Sequence, residues 1–138
     1  MATLAGETLE SIVALIRERL SPLAIYLFGS QAERQAQPGS DLDIAVLGSA
    51  PYDPWALFVL AQDLVVLQES QPEVDLVDLA TAPPALRARV VTQGWCVYCA
   101  NRLRCDLFEI LVLKEYAYLQ EERRPILEDI QRQGRVYG

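Results

Sequence analysis

The sequence of 138 residues contains no histidine, and this absence excludes several kinds of catalytic site. Hydrolases with a Ser-His-Asp or Cys-His pair and zinc sites of the H-E-x-x-H type all require an imidazole. The chain also lacks the side chain that most often acts as a general base near neutral pH. Any hydrolytic or group-transfer chemistry must therefore be carried out by carboxylates, by a bound metal ion, or by both.

Cysteine is scarce as well, with Cys96, Cys99 and Cys105 as its only occurrences. An odd number of cysteines argues against a disulfide framework. The Cys96-x-x-Cys99 spacing is found in zinc and redox sites, but a structural zinc ion needs four ligands and the chain offers only one further cysteine. We therefore expect the three cysteines to be small, partly buried apolar residues.

Long hydrophobic runs and an excess of basic charge are also missing. The longest apolar runs, Ala56–Ala61 and Leu64–Leu67, are far shorter than the ~20 residues of a membrane-spanning helix. The first ten residues have neither a basic nor an apolar signal-peptide segment, so we predict a cytoplasmic protein without membrane contact. Twelve basic residues against nineteen acidic ones give a net charge of −7, which disfavours extended nucleic-acid binding.

The remaining composition is that of a globular domain, since 51% of the residues are apolar. The length predicts one domain spanning residues 1–138, with a core at about 9–100 and a helical C-terminal segment at about 101–134. Hydrophobic periodicity and breakers predict helices and strands in alternation. The predicted elements are a helix over 6–20, a strand over Leu23–Phe28, one or two helical turns within 30–36, a strand over Asp41–Leu47, a helix over 53–68, a strand over Val74–Leu79, a helix from Pro83 to about Thr92, a β-like segment over Trp95–Cys99, and helix from Asn101 to Gln133 interrupted near Pro125. This alternation predicts an α/β or α+β fold with a small sheet flanked by helices.

One segment combines features that suit phosphate and metal binding. A strand runs into Gly29-Ser30, and after ten further residues Asp41-Leu42-Asp43 begins the next strand. Glycine permits a sharp turn and close approach of a phosphate to the backbone, and the N-terminus of a following helix favours an anion. Asp41 and Asp43 are two residues apart on a strand, so their side chains share a face about 6.6 Å apart. Their repulsion would be relieved by a hard divalent cation such as Mg²⁺, which also binds substrate phosphates.

This pattern resembles the signature of the polymerase-β-like nucleotidyltransferase superfamily. The short chain is most similar to its minimal nucleotidyltransferase (MNT) branch, which includes the MntA-type antitoxins. The resemblance extends to the strand around Asp75 and Asp78, where the family carries a third metal carboxylate, and to the helix, glycine turn and strand of residues 83–101. It implies a polymerase-β-like fold and Mg²⁺-dependent nucleotidyl transfer.

Two candidates compete for the third carboxylate. Asp75 and Asp78 are separated by an odd number of positions, so they point to opposite faces of the strand. Asp75 is flanked by apolar residues, where a charge is costly without a metal or a partner, whereas Asp78 lies near the strand end, where water can reach it. We therefore favour Asp75.

The resemblance also implies roles for individual residues. Asp41, Asp43 and Asp75 are expected to hold two Mg²⁺ ions that bind ATP, with Asp75 nearest the acceptor hydroxyl and acting as its base. Gly29 and Ser30 are expected to contact the terminal phosphates. Ser40 is a further nucleotide-binding candidate that positions the Asp41 loop, although a role as a strand-entry cap is equally compatible with its place.

Three functions follow as hypotheses. The first is an antitoxin that transfers AMP to a tyrosine of a HEPN ribonuclease toxin and so neutralises it. The second is nucleotidyl transfer to a small molecule, as in aminoglycoside-modifying relatives, which usually carry an additional substrate domain. The third is neutralisation of a toxin by binding alone. Under any of the three, the protein could form a homo- or hetero-oligomer. The C-terminal segment either packs its apolar stripe on the sheet or offers a partner surface through Tyr116, Tyr118, Arg123 and Arg124.

Overall fold

The structure, a computed structural model, describes residues 6–29, 41–68 and 72–137, with side chains up to residue 125. It contains four strands and four helices within these ranges. Their bounds are α1 Gly6–Leu20, β1 Ala24–Phe28, β2 Leu42–Leu47, α2 Pro54–Val66, β3 Val74–Asp78, α3 Pro84–Gln93, β4 Trp95–Cys99 and α4 Arg102–Tyr137. The predicted α/β fold is confirmed, and the predicted elements begin and end within two residues of those in the described segments, except that α4 ends four residues beyond the predicted Gln133. The helical turns predicted within 30–36 lie outside the described residues.

The four strands form one mixed sheet in the order β3-β2-β1-β4. Strand β1 is antiparallel to both of its neighbours, whereas β2 and β3 are parallel. A parallel pair requires a crossover connection, and α2 supplies it between β2 and β3. This topology puts the start of β2, the start of β3 and the end of β1 at the same end of the sheet.

Each face of the sheet is covered by two helices. On one face, Leu42, Ile44 and Val46 of β2 pack in a cluster with residues of α1 and α2. On the other, Ala45 and Leu47 belong to a second cluster with Val90 of α3 and Cys105 of α4. Because side chains alternate along a strand, Asp43 lies on the face that α3 and α4 cover.

Helix α4 runs along this second face toward the end of the sheet where β1 finishes. Near its start, the Cys105 thiol lies 3.5 Å from the Leu23 carbonyl oxygen. One turn later, the Tyr26 hydroxyl donates a 2.6 Å hydrogen bond to Glu109 Oε1. The contacts thus advance along α4 and β1 in the same direction.

One prediction for the C-terminal segment is wrong. The interruption near Pro125 is absent, since α4 is one helix of 36 residues that includes this proline. A proline within a helix removes one backbone hydrogen bond, and the remaining turns of α4 continue on both sides of it. Of the two alternatives for the apolar stripe, packing on the sheet does not describe its most exposed members. These members are between 53% and 67% exposed, and we call them the apolar face of α4: Leu103, Leu107, Ile110, Leu111 and Tyr118.

The three cysteines are free, as predicted, but they differ in burial. Cys105 is buried and Cys99 partly buried, with their Sγ atoms 2.8 Å apart, whereas Cys96 is exposed. The prediction of partial burial is therefore wrong for Cys96. It lies on β4, an edge strand whose outer side no other strand of the described chain covers. Within the described ranges, no helix has both the length and the apolar character needed to cross a membrane.

Candidate functional site

The site begins at the turn that follows β1. Gly29 has a φ of +73°, a left-handed conformation that residues with a Cβ rarely adopt. A Cβ at this position would overlap Asp43 Oδ2 and lie 3.1 Å from Asp43 Cγ. The turn therefore needs glycine for two reasons, since both the backbone conformation and the adjacent carboxylate exclude a side chain.

The sheet register brings two of the predicted carboxylates together. Asp43 is paired with Phe28 of β1 on one side and with Asp75 of β3 on the other. Neighbouring strands are about 4.8 Å apart, and register partners in a parallel pair point to the same face. Asp43 is partly buried and Asp75 is exposed, so the pair lies at the solvent-accessible end of the sheet. Asp41, also exposed, precedes β2 by one residue.

The charge of Asp41 acts on the pair formed by Asp43 and Asp75. Burial raises the pKa of Asp43 above its usual range, and the negative charges of Asp75 and Asp41 raise it further. The positive charge of Arg89, on α3, acts in the opposite direction on the same pKa. Asp41, Asp43 and Asp75 thus form a concentrated negative charge, which is the environment that a cation stabilises.

The carboxylate oxygens suit Mg²⁺, although they do not form a complete cage. Mg²⁺ commonly binds one or two carboxylates together with substrate phosphates and water. Across residues 6–29, 41–68 and 72–137, no three acidic, cysteine or histidine side chains are arranged so as to hold a metal ion. Asp43 and Asp75 are adjacent through the register, and like charges held close together repel each other unless a cation is present. The donor set fits Mg²⁺ as part of a site that substrate phosphates complete.

Asp78 has a different environment from Asp75. It is 8% exposed, and its two carboxylate oxygens accept hydrogen bonds from the backbone N–H groups of Tyr52 (2.8 Å) and Ala80 (2.9 Å). These bonds hold the loop before α2 against the end of β3. Asp75, not Asp78, lies beside Asp43, but the burial expected for the two residues was reversed. The apolar neighbours of Asp75 in sequence contact the core, while its own side chain is exposed at the end of the sheet.

Three further residues bear on the site, namely Ser30 and Ser40, which were predicted, and Arg89, which was not. Ser30 and Ser40, the remaining nucleotide-binding candidates, lie outside the described residues. Arg89 was not identified from the sequence, because α3 carries two arginines and no motif spacing distinguishes them. Arg89 is distinguished only by the packing of the fold, because α3 lies over the end of β1 next to Asp43.

The chain is similar to known proteins over most of its length. The family model described as "Polymerase beta, Nucleotidyltransferase" matches residues 10–103. The protein adenylyltransferase MntA of Shewanella oneidensis is 38% identical over 120 residues, which cover 86% of this chain and 84% of that protein.

Solved structures agree with this similarity. A toxin–antitoxin crystal structure with AMP-PNP contains a chain that is 36% identical with a TM-score of 0.79, covering 88% of this chain and 97% of that one. A complex of a tri-AMPylated Shewanella oneidensis HEPN toxin with its MNT antitoxin contains a chain 34% identical with a TM-score of 0.75. In that comparison 91% of this chain and 97% of the other are covered.

Proposed function

The chain belongs to the polymerase beta nucleotidyltransferase family, and on that basis we propose that it transfers AMP from ATP to a tyrosine of a HEPN-type toxin and thereby neutralises the toxin. One observation carries the proposal: Gly29, Asp43 and Asp75 meet at one end of the sheet on three adjacent strands. The similar MntA is named a protein adenylyltransferase, and a similar chain occurs in complex with a tri-AMPylated HEPN toxin. We further propose a cytoplasmic location, because the reaction consumes ATP.

In this proposal the carboxylates bind the nucleotide through Mg²⁺. Asp41, Asp43 and Asp75 are the residues that would hold the metal, as two ions in the two-metal form of the site. When bound, the metal neutralises phosphate charge and lowers the pKa of the attacking hydroxyl. The raised pKa of Asp43 supports this assignment, because bound Mg²⁺ would stabilise the ionised form that burial and neighbouring carboxylates disfavour.

In the proposed reaction, the residues on the two sides of Asp43 have different roles. The acceptor oxygen forms a bond to the α-phosphorus of ATP, the bond to the bridging oxygen breaks, and diphosphate leaves with the bonding electrons. In this proposal Asp75, on the outer strand β3, receives the hydroxyl proton. Gly29, on the side of β1, allows the Asp43 carboxylate to lie against the backbone turn. The tyrosine product carries AMP as a phosphodiester.

The apolar face of α4 supports a protein as the acceptor. A solvent-exposed row of leucine, isoleucine and tyrosine side chains on one side of a helix is typical of a protein-binding surface. Helix α4 lies on the same side of the sheet as Asp43 and runs toward the end where the carboxylates lie. We propose that the HEPN partner docks on this face, with its acceptor directed at Asp75.

The test is transfer of label from α-labelled ATP, with Mg²⁺, to the HEPN protein that co-purifies with this chain. We expect label on a tyrosine of the partner, and we expect Asp43→Asn to abolish it. Asp63→Asn is the matched control, because Asp63 is an exposed aspartate on α2 that pairs with Arg19 at 2.8 Å, on the other face of the sheet.

The alternatives give different results in the same experiment. Label that appears only in a small-molecule fraction would favour the second hypothesis. Full neutralisation of the toxin by the Asp43→Asn variant, without label transfer, would show that binding alone accounts for antitoxin activity.

A further inference from the structure

Helix α3 carries two arginines that point in different directions. Arg87 and Arg89 are two positions apart, which corresponds to about 200° around a helix. Arg87 is directed at α4, where its guanidinium lies 3.6 Å from Glu115 Oε1 and 5.6 Å from the centre of the Phe108 ring. Arg89 therefore points away from α4.

The end of α3 is fixed beside the end of β1. A Cβ on Gly94, the residue that ends this helix, would lie 3.0 Å from the Leu27 carbonyl oxygen and 3.3 Å from Phe28 Cβ. Val90 is fully buried in the cluster that contains Phe28. Arg89, directly before Val90, is exposed, and it lies on the helix that packs against Phe28, the register partner of Asp43 on β1.

The sheet order separates Arg89 from the proposed acceptor side. Helix α3 packs on β1 and β4, whereas Asp75 lies on β3, at the opposite edge of the sheet. In phosphoryl transfer, the attacking and leaving oxygens are roughly in line on opposite sides of the phosphorus. If the acceptor approaches from the side of Asp75, the diphosphate departs on the side of β1 and α3.

We propose that Arg89 binds the β- and γ-phosphates of the nucleotide and stabilises the departing diphosphate. This inference rests on the proposed nucleotidyl transfer and adds a binding residue to it. Arginine suits the role because its guanidinium stays protonated and can donate two parallel hydrogen bonds to phosphate oxygens. A positive side chain also reduces the repulsion between the three carboxylates and a triphosphate.

The test compares three variants of the full chain in complex with its partner. In Arg89→Gln we expect AMP transfer and affinity for AMP-PNP to fall about 10- to 100-fold, the range for losing a hydrogen bond to a charged group. Affinity for AMP, which lacks both outer phosphates, should stay within twofold. Arg89→Lys keeps the charge without the planar fork and should fall between wild type and Arg89→Gln. Arg19→Gln is the control and should match wild type, because Arg19 is an exposed arginine on α1 that pairs with Asp63.

The outcomes separate this inference from the proposed function. Equal losses of AMP and AMP-PNP binding in Arg89→Gln would overturn the role at the outer phosphates, as would wild-type transfer by that variant. If wild type labels no protein, but Arg89→Gln loses AMP-PNP affinity and retains AMP affinity, the assignment of Arg89 stands and the protein acceptor fails.

Discussion

The contact between Gly29 and Asp43 makes the site intolerant of even one added methyl group. The glycine adopts a positive φ, and the Asp43 carboxylate of the next strand occupies the space that a side chain at this position would need. Replacement would therefore strain the backbone and displace the Asp43 carboxylate from its place beside the turn.

The corresponding prediction concerns Gly29→Ala. We expect the free energy of unfolding to fall by about 1–2 kcal/mol from the left-handed conformation alone, and AMP transfer to fall much further than this loss explains. Denaturant unfolding and label transfer measure the two effects. Gly6→Ala is the control, because a Cβ there meets nothing within 4 Å and alanine favours helix. Unchanged transfer in Gly29→Ala would contradict the close packing of glycine and carboxylate.

At this scale, the structure places Asp43 beside Asp75, and the surroundings of the predicted residues differ from those expected. The order Gly29, Asp41, Asp43 could be recognised in the sequence because a glycine turn and alternate aspartates have definite geometric meanings. The burial of Asp75 and Asp78 was predicted in reverse, because the apolar character of sequence neighbours does not reveal which face of a strand is covered. Arg89 was not identified, because its proximity to Asp43 depends on how α3 packs.

Strand β3 is an element with two separate tasks on its two faces. Asp75 faces the site, while Asp78 accepts hydrogen bonds from two backbone N–H groups and connects β3 to the segment before α2. Asp75 is proposed to act in the reaction, and Asp78 stabilises the fold. Substitution of Asp75 should therefore lower activity more than stability, and substitution of Asp78 should do the reverse.

We predict that Asp78→Ala lowers the free energy of unfolding by about 1–3 kcal/mol, because it leaves buried N–H groups without acceptors. The folded fraction should still transfer AMP at the wild-type rate. Asp75→Ala should change stability by less than about 0.5 kcal/mol, as expected at an exposed position, and lower transfer by about 100-fold or more. Unfolding curves and initial rates measure both. A variant of Asp78 that is stable but inactive would exchange the roles of the two residues.

Element types and bounds were mostly accessible from the sequence, with one informative failure in α4. Apolar periodicity, Pro54 and Gly94 marked helices and strands to within two residues, since these signals act locally. The continuity of α4 through Pro125 and the exposure of its apolar side were not predictable. An apolar stripe has the same sequence pattern whether it contacts its own sheet or another protein.

For the whole molecule, the apolar face of α4 is the feature that a lone domain does not explain. We predict that Leu107→Gln combined with Ile110→Gln weakens the complex with the proposed HEPN partner about 10-fold or more, because apolar anchors dominate interface energies. Binding titrations with the purified partner measure this. The pair Val66→Gln and Leu67→Gln, at exposed apolar positions at the end of α2 and directly after it, serves as control. Equal affinity in the α4 variant and wild type would place the partner elsewhere.

The direction of α4 has a further consequence for how any acceptor reaches the carboxylates. Glu109 is level with Tyr26, and the helix continues to Tyr137, so roughly 20 residues, or about 30 Å of helix, extend past the end of the sheet where Asp43 lies. A helix that extends beyond the sheet adds protein surface on the side that Asp43 faces. We expect a large acceptor to contact this part of α4 as well as the apolar face. The length of α4 would then help to determine which acceptors fit the site.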